Sequence, residues 1–289
     1  MEVIESIPVH EDIKMGLPTR DKYIENYCEN IRRVAKVGVK CVCYNFMPVF
    51  DWLRTEMKHV NKDGSTSLAY SYDDFCKIDP NHLHLPGWDE SYTQEEELQG
   101  LLKAYKNITH EDLFNNLVYF LERVIKVCDE VDVKMAIHPD DPPWDVFGLP
   151  RIVSCEEDLD KMFKAIPSVN NGITLCTGSF GASKNNDLIK MAEKYTKQGR
   201  VHFAHLRNVK WTDDHDSFCE VGHLSKDGSL DMAGIVEMLV NNGFDGYVRP
   251  DHGRNIFGED GKPGYGLYDR ALGCAYINGL FEAFEKIKK

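Results

Sequence analysis

The feature that most constrains this chain is a repeat of short apolar runs, at residues 3–7, 39–46, 133–138, 172–176, 201–206 and 246–250, with helical periodicity in the intervals. The runs are rich in β-branched and aromatic residues and lack strict polar alternation, as strands covered on both faces require. Such strands separated by helices make β/α units around a parallel sheet. At 289 residues the chain can bury one barrel-sized core, so residues 1–289 read as a single domain. The expected class is α/β, a (β/α)8 TIM barrel, although only six of the eight units of a closed barrel are recognisable.

Helix signals fill the intervals. Residues 21–37 carry Ile24, Tyr27, Ile31 and Val34 at helical spacing and stop at Gly38, a residue suited to a C-cap. Thr109 with Asp112 opens a helix running to residue 127, and Ser154 with Glu157 has the capping-box pattern. Further helices are expected at 187–197, 231–241 and from Tyr268 onward. One interval is irregular: residues 47–110 far exceed a usual βα loop. Following a strand, that insertion belongs on the active-site face, where it can serve as a lid.

The formal net charge of −13 excludes nucleic acid and anionic membranes as natural partners. No apolar run is long enough to span a bilayer, and the acidic start MEVIESIPVHEDIK does not resemble a signal peptide, so the cytoplasm is the expected location. Nine cysteines without a C-x-x-C pair read as reduced thiols.

Four strand ends carry side chains able to bind a divalent cation: His138 in AIHPDDP, Cys176 in TLCTGS, His205 in HFAHLRN and Asp251 in RPDHG. Each alone has an ordinary structural reading, as core packing or a cap. Their shared place in successive units points instead to one metal site, because parallel strands bring their C-terminal ends to a common mouth. Arg207, Asn208 and Lys210 in HLRNVK and Arg254 in DHGRN lie close by in sequence, and two of them suffice to hold a carboxylate; Lys210 reads equally as surface charge. His252 is suited to proton transfer near neutral pH, and Tyr265 or Tyr268 in PGYGLYDR can supply a phenolic proton. Asp140 and Asp141 read as a turn before the prolines, with support of His138 as the other reading. The SFGAS segment reads as a Gly/Ser loop, and nucleophile-elbow, P-loop and dinucleotide motifs are absent.

Together the stretches ESIPVHEDIKMGLPTRDKYIENY, VCYNFMPVFDW, AIHPDDPPW, LCTGSFG, HFAHLRNVK and RPDHGRN with PGYGLYDRALG resemble the mannonate dehydratase family, of the xylose-isomerase-like barrels. The resemblance runs almost from end to end. It implies dehydration of D-mannonate to 2-keto-3-deoxy-D-gluconate in hexuronate (glucuronate) breakdown, with a divalent metal, typically Mn²⁺ and alternatively Fe²⁺, Co²⁺ or Ni²⁺. It implies His138, Cys176, His205 and Asp251 as ligands, with His252 and a tyrosine, Tyr265 before Tyr268, moving protons; Arg207, Asn208 and Arg254 remain the candidate substrate contacts. A homodimer or higher homo-oligomer is the expected assembly. The family also implies two further β/α units ahead of ESIPVHEDI, which accounts for the count of six. The competing readings are a metal-dependent sugar isomerase or epimerase on a related barrel, and an inactive metal-binding fragment.

Overall fold

The computed structural model describes residues 1–79, 95–212 and 215–288. Among these, ten strands follow in chain order: β1 (Val3–Glu5), β2 (Cys41–Tyr44), β3 (Glu56–Val60), β4 (Thr66–Tyr70), β5 (Lys134–Ile137), β6 (Asn171–Cys176), β7 (Val201–His205), β8 (Asn208–Trp211), β9 (Phe218–Val221) and β10 (Tyr247–Arg249). Strands β1, β2, β5, β6, β7 and β10 make one parallel sheet in that order, each beside its predecessor. They are the six apolar runs expected from the sequence, wound as a TIM-type barrel wall.

The interior strands β2, β6 and β7 are buried at every residue, whereas β1 and β10 are only partly covered. These last two form the sheet's edges, and side chains join them: the Tyr247 hydroxyl donates to Glu2 at 3.0 Å and Arg249 pairs with Glu5 at 2.5 Å. The sheet is therefore nearly closed.

The helices follow the expected periodicity. Arg20–Lys36 buries Ile24, Tyr27, Cys28 and Ile31, and packs on His110–Val131. Phe120, fully buried, meets the Tyr27 ring edge-on at 4.9 Å between centroids, an arrangement that aromatic quadrupoles favour. Thr109 and Asp112 do form a capping box at the start of His110–Val131. Ser154 does not: the N-cap of Glu156–Ala165 is Cys155, and the Ser154 hydroxyl donates instead to Asp140 at 3.1 Å. The segment after Cys176 is a buried helix, Thr177–Ala182, rather than a loop. Its small residues let it pack close to its neighbours: a Cβ on Gly178 would stand 2.6 Å from the Arg207 side chain.

A second sheet, antiparallel in the order β3-β4-β9-β8, was not expected from the sequence. Its β3–β4 hairpin comes from the 47–110 insertion, and turns at Asp63–Ser65, where the Asp63 carboxylate accepts from the Ser65 amide at 3.0 Å and Gly64 has φ 81°. Residues 80–94 of the insertion lie outside the described residues. Strands β8 and β9 come from the connection after β7, so two βα loops pair with each other over the strand ends. Among the described residues, no helix is long and apolar enough to cross a membrane.

Candidate active site

Neighbouring parallel strands bring the four expected ligands together at their C-terminal ends. Cys176 and His205 end β6 and β7 as register partners, His138 follows β5 directly, and Asp251 lies two residues past β10. Donor atoms of His138, Cys176 and His205 all lie within 4.8 Å of one another. The Asp251 carboxylate reaches 3.7 Å from both the Cys176 Sγ and the His205 Nδ1. Asp251 has φ 62°, in the left-handed region, a backbone state that persists only where surrounding contacts hold it. Here Arg207 Nε at 2.8 Å, together with Arg249, holds its carboxylate.

The two imidazoles differ. His138 Nδ1 lies 2.8 Å from the Pro139 carbonyl, which only accepts, so Nδ1 carries the proton and Nε2 faces the cluster. Burial lowers its pKa, but Cys176, Glu5 and Asp251 outweigh burial and push it up to about 9. His205 is fully buried and neither ring nitrogen has a hydrogen-bond partner; burial holds its pKa well below the ordinary value.

Beside this cluster runs a buried chain of alternating charges. Arg54, fully buried, grips Asp141 through two N–H groups at 2.7 and 3.0 Å and reaches Glu220 at 2.9 Å. Arg207 donates to Asp141 and Glu220, each at 2.7 Å, and to the Ser179 hydroxyl at 3.1 Å. The His252 Nδ1 lies 2.9 Å from both oxygens of Glu220. Burial pushes the Glu220 carboxyl up, yet His252, Arg207 and Arg54 together bring it down to about 2. Asp141 likewise falls well below the carboxylate range, Arg54 and Arg207 overcoming its burial. Asp141 is thus the partner of two arginines rather than a turn residue, while Asp140 accepts from Val153 and Ser154 and supports the chain after His138.

Sequence reading missed Arg54, Glu220 and Arg249. Arg249 pairs with Glu5 and Asp251 and lines the cavity. The available signal was a charged residue inside an apolar stretch, Glu220 in FCEV; Arg54 in DWLRT carries no such signal. Such a group enters a core only when paired.

A cavity of about 140 Å³ opens over the cluster, lined by Glu5, His138, Arg249, Asp251, His252 and Tyr265 among others. The His252 and Tyr265 rings stand 5.5 Å apart between centroids. Tyr268 is exposed and packs near Phe257, away from this lining. The three expected substrate contacts differ in where they stand. Asn208 turns away from the cavity, donating to the Leu224 carbonyl at 2.9 Å and accepting from the Leu230 amide at 3.2 Å. Arg254 is engaged by Asp269 at 3.0 Å and Asp63 at 2.9 Å, and with the exposed Lys210 lines a separate cleft on the second sheet. Arg207 borders the cavity, but three carboxylates and a hydroxyl already occupy its guanidinium.

The donor set fits a divalent cation. Two imidazoles, a thiol and a carboxylate converge, and both ring nitrogens of the buried His205 lack a hydrogen-bond partner.

Similarity to known proteins agrees with this arrangement. The family described as D-mannonate dehydratase (UxuA) matches residues 1–289. A mannonate dehydratase from Thermotoga petrophila is 53% identical over 300 residues, covering 100% of this chain and 82% of the relative. The crystal structure of mannonate dehydratase from Streptococcus suis superposes with a TM-score of 0.91 at 46% identity, covering 99% of this chain and 78% of that one. A xylose isomerase-like TIM barrel protein from Mycobacterium smegmatis shares the fold at a TM-score of 0.54 and 11% identity, covering 98% and 74% of the two chains. Strand order, strand-end residues and full-length similarity agree, and the chain belongs to the D-mannonate dehydratase family, a group of hydro-lyases on an α/β barrel.

Proposed function

We propose that this chain dehydrates D-mannonate to 2-keto-3-deoxy-D-gluconate with the help of a divalent metal, Mn²⁺ by the family resemblance, as a step of hexuronate breakdown in the cytoplasm. The observation that carries the metal-dependent reading is the convergence of His138, Cys176, His205 and Asp251 beneath a cavity also lined by His252 and Tyr265.

The reaction removes a proton from C2, next to a carboxylate, and a hydroxyl from C3. A bound divalent cation supplies Lewis-acid stabilisation of the negative charge that develops there. His138, Cys176, His205 and Asp251 hold that cation, and Arg207 fixes Asp251 in place. Arg249, held by Glu5 and Asp251 but with its side chain 31% exposed against 3% for Arg207, is the more accessible cation for the substrate carboxylate at the cavity wall. His252 and Tyr265 divide the proton work: one takes the C2 proton and the other protonates the departing C3 hydroxyl as water. The enol so formed tautomerises to the keto acid. Burial raises the Tyr265 pKa, and Asp251 raises it further, so the phenol keeps its proton at neutral pH. We infer a homo-oligomer from the family resemblance alone.

The test is purified chain with D-mannonate and Mn²⁺, product identified as 2-keto-3-deoxygluconate, with metal-stripped protein as the control. Metal-dependent product is expected. An isomerised or epimerised hexonate in its place, or no product from folded, metal-loaded protein, overturns the reading.

A further inference from the structure

We propose that Glu220 is the positioning residue that sets which nitrogen of His252 faces the substrate cavity, so that Nδ1 carries the proton and Nε2 is left free to exchange one. The inference rests on the reading of His252 as a proton-transfer group.

The argument starts from the two oxygens of Glu220, which have different surroundings. Oε1 is met by donors: Arg207 NH1 at 2.7 Å, Arg54 NH2 at 2.9 Å and Arg54 Nε at 3.3 Å, with His252 Nδ1 at 2.9 Å. Oε2 has His252 Nδ1 as its partner, also at 2.9 Å. An ionised carboxylate has no proton to give, so the Nδ1 between its oxygens has to be the donor. In a neutral imidazole the other nitrogen is then the acceptor. The carboxylate is held ionised and still, being 4% exposed and fastened by two buried arginines that Asp141 fastens in turn. His252 thus receives both its orientation and its tautomer from a strand of the second sheet.

One substitution separates this role from simple packing. In Glu220→Gln the amide oxygen has to take the Oε1 place, because an NH₂ there would point at three guanidinium N–H donors. The NH₂ group therefore takes the Oε2 place and aims a hydrogen at His252 Nδ1. The amide oxygen in the Oε1 place is already met by three guanidinium N–H groups, and an N–H from the Oε2 place repels a protonated Nδ1, so that nitrogen becomes an acceptor and the proton moves to Nε2. Glu220→Asp is less similar in size but presents only acceptors, so it keeps Nδ1 protonated. A packing role ranks Gln above Asp, because Gln matches the shape. The positioning role ranks Asp above Gln.

The experiment uses protein labelled with ¹⁵N-histidine and loaded with diamagnetic Zn²⁺. His252 resonances are assigned by their loss in His252→Gln. Wild type is expected to show a protonated Nδ1 and a free Nε2, Glu220→Gln the reverse, and Glu220→Asp the wild-type pattern. With Mn²⁺ and D-mannonate, Glu220→Gln should lower kcat on the order of 10²–10⁴-fold, the range of a misplaced proton-transfer histidine. KM and bound metal should stay near wild type, and Glu220→Asp should retain more activity than Glu220→Gln. Two protonated nitrogens in wild type, a protonated Nδ1 that survives Glu220→Gln, or Asp faring worse than Gln overturns the inference. Absence of turnover in wild type overturns the mannonate reading instead, and the spectra still decide the tautomer.

Discussion

Replacing Arg207 by alanine tests whether the buried charge chain is a structural unit. Its guanidinium lies 2.7, 2.7 and 2.8 Å from Asp141, Glu220 and Asp251, and all four side chains are nearly inaccessible. Removing it leaves Arg54 and Arg249 to face these carboxylates and Glu5. Breaking a buried pair by deleting one partner costs about 3–5 kcal/mol, because the remaining charge is left without compensation. Each carboxylate keeps one cation here, Arg54 for Asp141 and Glu220 and Arg249 for Asp251, so we expect the lower end, about 3 kcal/mol. Against a total stability of about 5–15 kcal/mol that is a large loss. Urea unfolding of metal-free wild type and variant measures it directly. The same substitution on a Glu220→Gln background should cost less, since one of the stranded charges is already gone, with a coupling of about 0.5–3 kcal/mol. The alternative, that Arg207 is a free fork for the substrate carboxylate, predicts a raised KM and unchanged stability. A single-variant loss below about 1 kcal/mol, or strict additivity in the cycle, refutes the charge-chain reasoning.

Three further outcomes follow from the same site. Gly178→Ala places a Cβ 2.6 Å from three atoms of the Arg207 side chain, so it should destabilise by about 1–3 kcal/mol and weaken the same coupling, read by urea unfolding. Cys176→Ser exchanges a thiolate donor for a neutral hydroxyl; equilibrium dialysis against Mn²⁺ should show affinity reduced by at least the roughly 10–100-fold that loss of an outer-shell partner costs, with the circular dichroism spectrum unchanged. Glu220 supplies a pH signature. Its folded pKa, about 2, lies below the ordinary 4.5, so its stabilisation is complete above the unfolded pKa and is lost as pH falls through the folded one. That shift corresponds to about 3 kcal/mol, and the stability difference between wild type and Glu220→Gln should shrink by this order between pH 4.5 and pH 2. A difference that stays constant with pH removes Glu220 from the network.

The barrel wall was legible because its physics is local and periodic. Strands buried on both faces must be continuously apolar, and each of the six runs became a strand of the parallel sheet. The strand-end residues were legible for a related reason: parallel winding fixes where a C-terminal end lies, so His138, Cys176, His205 and Asp251 needed no contact information to be grouped. The second sheet offered no such signal. In β3 the burial alternates between exposed and half-covered residues, and β8 and β9 are four residues each, so their pairing depends on two distant loops meeting. No spacing rule reports that meeting.

The same distinction explains which candidate residues lie away from the cavity. Asn208 and Arg254 were chosen for closeness in sequence to ligands, but Asn208 already lies on β8, where the chain leaves the barrel mouth, and Arg254 is drawn to Asp63 of the hairpin and to Asp269. Glu220 and Arg54 were passed over because each is far in sequence from every ligand, yet they lie 2.9 Å apart and meet Asp141 and His252. An apolar neighbourhood can flag a buried charge, but its partner cannot be read there, since that partner of opposite sign is brought by another element. In this fold that partner comes from the sheet laid over the barrel. The barrel strands therefore fix where the ligands stand, and the two paired loops fix the electrostatics around them. Exchanging residues on β9 should accordingly alter proton transfer while metal binding stays intact, whereas exchanging residues at the ends of β6 and β7 should lower metal binding and turnover together.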